Sequence, residues 1–127
     1  MLLAAALLAG APLPSSAAQL VVKLHAVGGS GEKGEAVLTD VPGATPSVRV
    51  MIRLSGEPMK AIQPAHIHKG PCGANGPVDK PLHSVVGGKS ATIVPGTSVA
   101  QLVAAHTSIN VHKSPEMLTT IVSCGTI

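Results

Sequence analysis

Hydrophobic and polar residues alternate along much of the chain, which is the pattern of strands that bury one face in an antiparallel sheet. The clearest case is residues 47–55, where every second residue is Val, Ile or Leu and the residues between them are mostly polar. Residues 19–27 alternate in the same way, and residues 34–41 form a further predicted strand, with turns rich in Gly and Pro between the three. Shorter predicted strands occupy residues 65–68, 84–86, 90–94, 108–111 and 118–123.

The number of short strands predicts an all-β fold, either a β-sandwich or a flattened barrel. One helical turn is predicted at residues 98–105, with Ser98 as its cap and Leu102 pointing inward. Neither an internal repeat nor a linker interrupts the pattern, so residues 19–127 are expected to form one domain. Residues 69–81 lack a strand pattern, and a loop of this length in a compact domain often has a functional role.

The composition excludes several classes of function. The chain contains no Phe, Trp or Tyr, so the core must be aliphatic and stacking platforms for single-stranded nucleic acid are absent. Its net charge of +3 comes from nine scattered Lys and Arg residues, which argues against a nucleic-acid partner but can still attract a small anion. A glycine-rich phosphate loop and a glycosidase carboxylate pair are also missing.

The first eighteen residues differ in composition from the rest of the chain. Residues 1–10 are almost wholly Leu and Ala, and Ser16, Ala17 and Ala18 are small residues of the kind found at a signal-peptidase site. We therefore predict a cleaved signal peptide over residues 1–18 and a secreted or periplasmic domain. A buried helix is the alternative, whereas a membrane span would need about 20 apolar residues in succession.

The chain has two cysteines, Cys72 and Cys124. In an exported protein an isolated pair is most simply a disulfide, which would join the long loop to the C-terminal segment. Two free thiols or a thiolate metal ligand are the alternatives. The sequence does not indicate an oligomeric state.

Histidines carry the candidate chemistry. His66 and His68 lie two residues apart on a predicted strand, so both rings share one face while Ile67 faces the core. Two neighbouring imidazoles on one face suit a transition metal. His112 lies on a later predicted strand and shares its outer face with Asn110. The alternative is that these rings are incidental residues of an exposed strand.

The other three histidines are weaker candidates. His25 shares a polar strand face with Lys23 and is expected to face solvent. His106 follows the helical turn and is also expected at the surface. His83 follows the long loop, and we keep it as a candidate further metal ligand.

Two segments resemble the copper/zinc superoxide dismutase superfamily: residues 64–72 (PAHIHKGPC) and residues 109–125 (INVHKSPEMLTTIVSCG). The resemblance implies a flattened Greek-key β-barrel, a Cys72–Cys124 disulfide, superoxide as substrate, and copper bound by His66, His68 and His112. Residues 66–78 are also similar to the CHRD domain, a related module known mainly for binding or structural roles.

The sequence departs from the superfamily in three respects. Only Asp79 and His83 are available for zinc in the loop after the first cysteine, so a complete zinc site is not expected. Ile121 occupies the position of the superfamily's arginine, three residues before the final cysteine. The loop between His112 and Cys124 is shortened to eleven residues, which removes most of the charged approach to the metal.

These observations lead to three hypotheses. The first is an exported copper-binding protein of the dismutase superfamily, in which superoxide dismutation is retained at reduced efficiency. Lys69 and Lys113, each next to a candidate ligand, would then supply part of the missing positive charge. The second is a metal-free CHRD-type binding or structural module outside the cell, and the third is a periplasmic copper carrier without catalysis.

Overall fold

A computed structural model describes Gly10 and residues 18–127 of the chain. The predicted signal peptide therefore lies, apart from Gly10 and Ala18, outside the described residues. Among the described residues, none of the helices combines the length and the hydropathy that a membrane span requires.

Eight antiparallel strands form a closed barrel. Around the barrel the strands follow the order β1-β2-β3-β6-β5-β4-β7-β8, so the β3–β4 and β6–β7 connections each cross over two strands. This architecture confirms the predicted all-β barrel. The elements are β1 (Gln19–Ala26), β2 (Lys33–Val41), β3 (Ser47–Ser55), β4 (Ile62–Lys69), β5 (Val78–Val86), β6 (Lys89–Pro95), α1 (Val99–Ala104), β7 (Thr107–His112) and β8 (Ile121–Thr126).

An aliphatic core fills the barrel because alternate residues of each strand point inward. On β3 the four inward residues are those that the alternation predicts, and β4 and β7 contribute Ala65, Ile67, Ile109 and Val111, all with no exposed surface. Burial of this aliphatic surface is the main stabilising term for a core that has no aromatic rings. The buried hydrophobic residues of β1, β2, β3 and β6 are Val22, Leu24, Ala36, Leu38, Val48, Val50, Ile52, Leu54 and Val94.

Helix α1 packs against the core at one end of the barrel. The Ser98 side chain accepts a hydrogen bond from the Gln101 backbone N–H, and the Asp40 carboxylate accepts one from the Val99 N–H. Leu102 is 2% exposed. The predicted helical turn, its Ser98 cap and its inward leucine are therefore confirmed.

Several strand boundaries differ from the sequence prediction, and the starts of β5 and β8 show the reason. Strand β5 already begins at Val78, although residues 78–81 carry no alternation, because this segment pairs with β4 along its length. Strand β8 begins at Ile121, since the residues before it form a turn in which the Thr120 N–H donates to the Met117 carbonyl. In both cases tertiary pairing decides the boundary, which local sequence does not encode.

Candidate metal centre

Three histidine rings converge on the outer face of the barrel. His66 and His68 lie on β4, where Ala65 and Ile67 occupy the inward positions. Strand β7 pairs with β4 so that Ala65 lies opposite Val111, which brings His112 beside the other two rings. The ring centroids are 4.9 to 5.6 Å apart. One nitrogen of each ring lies within 4.8 Å of a nitrogen of the other two, and we call this group the histidine triad.

Backbone carbonyls fix the orientation of two of the rings. The His68 Nδ1–H donates to the Gly76 carbonyl at 2.9 Å, and the His112 Nδ1–H donates to the Leu118 carbonyl at 2.6 Å. A carbonyl can only accept, so Nδ1 carries the proton in both rings and Nε2 carries a lone pair. This arrangement, a ring nitrogen held by a carbonyl while the other faces the centre, is common among metal-binding histidines.

The Nε2 atom of His68 provides a direct test of whether a metal ion fits. This atom is buried and has no hydrogen-bond partner among the described residues. An unpaired buried polar atom costs about 1–3 kcal/mol, so its presence calls for a partner that the polypeptide does not provide. A transition-metal ion bound by the three nitrogens would supply that partner, and the donor set fits such an ion.

His66 and His112 contact each other directly. Nδ1 of His66 lies 3.0 Å from Nε2 of His112. Because Nε2 of His112 carries a lone pair, the hydrogen bond requires a proton on Nδ1 of His66. In this state His66 donates to the atom that would otherwise face the metal.

The surroundings of His66 and His112 favour the neutral form of each ring. Burial is the main cause that lowers the pKa of His66, and positive charge on His112 and His68 adds to it. Burial also lowers the pKa of His112, against the opposing effect of its hydrogen bond to Leu118. Neutral imidazole is the form that binds metal, so both shifts favour binding at neutral pH.

The loop that holds His68 is tied to the barrel by a disulfide. Cys72 is bonded to Cys124 on β8, with the two Cα atoms 5.9 Å apart, and the Cys72 N–H donates to Thr126 Oγ1. Within the same loop Gly76 lies so close to Lys69 that a Cβ atom would be 1.8 Å from the Lys69 carbonyl oxygen. Glycine is therefore required for the Gly76 carbonyl to reach His68.

A pocket of ≈ 340 Å³ opens beside the triad. None of its lining residues is a lysine, an arginine or an acid, and Ile121 lies in its wall, at the position where the superfamily has arginine. Asn110, which is 3% exposed, also lines it and lies against the Cys124 sulfur. A small molecule could thus reach His68 and His112 through an opening whose lining has no lysine, arginine or acidic residue. The full lining is His68, Asn75, Gly76, Asn110, His112, Leu118, Thr119 and Ile121.

The remaining candidate residues lie elsewhere. His83 donates from Nδ1 to the Ala91 carbonyl on β6 and does not belong to the triad. Its exposed ring bridges β5 and β6, which share one backbone pair, Val86 with Lys89. Asp79 lies at the start of β5 and is part of no metal-ligand cluster within residues 18–127. His25 and His106 are exposed, as the sequence predicts.

Sequence reasoning missed the two carbonyls that orient the triad. Every residue has a backbone carbonyl, so residue type does not show which carbonyl accepts a hydrogen bond. The glycine at position 76 is a weak indication that another part of the backbone lies close to it. The sequence predicts a strand over residues 118–123, which begins at Leu118. In the structure Leu118 is half exposed, and its backbone is the part that contacts His112.

Comparison with known proteins gives one line of support. The chain matches no protein family and no curated protein sequence. Its structure is similar to that of a point mutant of superoxide dismutase 5 from Candida albicans, with 19% sequence identity and a TM-score of 0.51, over 87% of this chain and 90% of that chain. At this level of identity the similarity shows the fold alone, and it confirms that the eight-stranded barrel is superoxide dismutase-like, as predicted.

Proposed function

We propose that the protein is an exported copper protein that binds one ion at the histidine triad and dismutates superoxide. The observation that carries the proposal is the convergence of three ring nitrogens within 4.8 Å, one of which, Nε2 of His68, is buried without a partner. Divalent copper binds a given nitrogen site more tightly than the other first-row divalent metals do. The dismutase-type barrel favours superoxide as the substrate.

A bound copper ion would supply one-electron redox chemistry, in which two superoxide anions and two protons give dioxygen and hydrogen peroxide. The polypeptide supplies the binding geometry. The Gly76 and Leu118 carbonyls hold His68 and His112 with Nε2 towards the centre, so these two rings need no rearrangement on loading.

His66 is the ring that must change on loading. Its Nδ1 proton points at Nε2 of His112, so this proton has to leave Nδ1 before both atoms can act as ligands. Transfer of the proton to Nε2 of His66 would keep the ring neutral. The lowered pKa of His66 favours this neutral form.

The neutral pocket limits the rate at which superoxide arrives. Charged clefts raise the association rate of small ions by about 10–10³-fold, and the residues that line this opening include no lysine or arginine. Lys69 and Lys113 are exposed and follow the ligands in sequence, so they attract the anion from outside the pocket. Turnover below the diffusion limit is therefore part of the proposal.

The disulfide supports export. A stable bond between Cys72 and Cys124 is expected in an oxidising compartment, outside the cytosol. The signal peptide over residues 1–18 stays a sequence-based prediction.

The binding step is tested by titrating the metal-free chain with Cu(II). Calorimetry and electron paramagnetic resonance monitor the titration. We expect one ion per chain with nitrogen hyperfine coupling, and loss of this signal in His66→Ala and His112→Ala. His83→Ala and His25→Ala are the matched controls and should bind normally. Binding that survives both triad changes, or a melting temperature that copper leaves unchanged, would contradict the proposal.

The reaction is tested separately on fully loaded protein. Superoxide decay after pulse radiolysis should accelerate when copper-loaded wild-type protein is added. Protein from which a chelator has removed the copper should not accelerate it. Full copper loading without any acceleration would overturn the dismutase half of the proposal and leave a copper carrier.

A further inference from the structure

The outer surface of β1, β2, β3 and β6 forms a second feature that the metal site does not explain. Cross-strand register aligns its outward residues in rows. One row is mostly charged: Lys23, Glu35, Arg53 and Lys89. The next row is apolar: Val21, Val37, Met51 and Ala91. The third is mixed: Gln19, Thr39, Arg49 and Ile93. Together with Lys33 these residues are called the basic face.

The basic face accounts for the net positive charge of the chain. It holds five of the nine Lys and Arg residues and one of the six acids, a formal charge of +4. The four remaining cations and five remaining acids leave the rest of the chain at −1, against a total of +3. The cations are far apart in sequence, and the register of the sheet brings them together.

An exposed apolar floor runs between the cations. Val21 is 58% exposed, Met51 41% and Ile93 51%. A groove of ≈ 270 Å³ lies beside Met51, and its lining includes Arg53, Lys89 and Ala91. The two rows that hold the cations lie about 13 Å apart, since they are four residues apart along each strand.

The basic face lies on the opposite side of the barrel from the histidine triad. Strands β1, β2, β3 and β6 are four consecutive members of the barrel, and the triad lies on β4 and β7, the middle two of the other four. The charge is therefore poorly placed to guide an anion to the metal. A partner bound here would leave the pocket beside the triad open.

We propose that the basic face docks an acidic polypeptide segment of another protein. Carboxylates of that segment would pair with Lys23, Arg53 and Lys89 on one side and with Arg49 on the other, while an apolar side chain enters the groove beside Met51. A lipid surface fits less well because strands of a closed barrel, and not an amphipathic helix, form this face. A nucleic-acid backbone has no group that would use the floor.

Nuclear magnetic resonance of the isotope-labelled full chain with poly-L-glutamate as the probe tests this proposal. We expect chemical-shift changes confined to the basic face and an affinity that falls as salt rises. The double variant Arg49→Gln/Arg53→Gln should weaken binding by at least about tenfold, and Met51→Ser by about threefold. The control Lys60→Gln/Lys80→Gln removes the same charge outside this face and should bind within about twofold of wild type.

Three outcomes would overturn the proposal. The first is equal weakening by the two double variants, which would mean that net charge alone drives binding. The second is tighter binding of phosphatidylglycerol vesicles or a DNA duplex than of poly-L-glutamate at the same residues, which would assign the face to that partner class. The third is the absence of shifts on the basic face when the acidic polymer is added to the folded wild-type chain.

Discussion

Nδ1 of His66 and Nε2 of His112 are joined by a 3.0 Å hydrogen bond, although both atoms face the centre of the histidine triad. Two of the three rings are therefore in contact through a single proton. Copper and this proton compete for the same two nitrogens. The state of the triad should accordingly depend on pH.

We expect the metal-free protein to lose stability as the pH falls through about 6.5, the ordinary pKa of histidine. The pKa values of His66 and His112 are lowered in the folded state, mainly by burial, so the unfolded chain takes up these protons first. The free energy of unfolding then falls until the folded rings are protonated too, and is unaffected at higher pH. Urea melts at about pH 5 and about pH 7.5 measure the difference.

The double variant His66→Gln/His112→Gln should flatten this acid loss, and His25→Gln, in an exposed position, should not. Copper affinity should fall over the same acid range because protons compete for the ring nitrogens. Stability that rises towards acid pH would show that the rings are not buried as described.

Gly76→Ala is expected to weaken copper binding by disturbing His68. The added Cβ would lie 1.8 Å from the Lys69 carbonyl oxygen, so the loop must move and its carbonyl must leave the His68 Nδ1–H. Loss of a group that orients a ligand typically costs about 10–100-fold in metal affinity. A copper titration measures the loss. Gly43→Ala is the control, since its Cβ meets nothing closer than 3.8 Å, and unchanged affinity in Gly76→Ala would contradict the role of the carbonyl.

Ile121→Arg should raise the superoxide rate constant of the loaded protein. The new guanidinium would enter the wall of the pocket beside His68 and His112, where the lining has no other permanent cation. We expect a gain of about tenfold at low ionic strength, diminishing as salt is added. Ile93→Arg adds the same charge on the opposite side of the barrel and should have little effect. Equal gains in both variants would show that overall charge, and not position, sets the rate.

Cys72→Ser/Cys124→Ser should lower both stability and copper affinity. The disulfide closes a loop with a sequence separation of 52 residues, for which chain entropy gives about 4 kcal/mol. It also anchors the loop that carries Gly76, so its removal frees the carbonyl that holds His68. Thermal melts and copper titrations on the variant measure the two effects. A loss of stability without loss of affinity would show that the loop keeps its place without the bond.

The sequence predicts those parts of the fold in which residue type alone indicates whether a position is buried or exposed. Residues 47–55 alternate cleanly, and the predicted strand agrees with β3 at both ends. The spacing of His66 and His68 gives their common face for the same reason. The start of β5 was missed because residues 78–81 become a strand only through pairing with β4.

Features that depend on chain approach could not be predicted from residue types. The Gly76 and Leu118 carbonyls act through the backbone, which every residue shares. The basic face cannot be predicted from the sequence because Lys23, Arg49 and Lys89 lie far apart along the chain. Only the register of β1, β2, β3 and β6 makes them neighbours.

The aliphatic core has a practical consequence for spectroscopy. Without tryptophan, tyrosine or phenylalanine, the protein has almost no absorption in the near ultraviolet and no intrinsic fluorescence. Charge-transfer bands between imidazole and a bound ion would therefore stand on a nearly blank background. Metal binding can therefore be followed directly from the absorption spectrum of the protein. The protein concentration must be measured from the absorbance of the peptide bond.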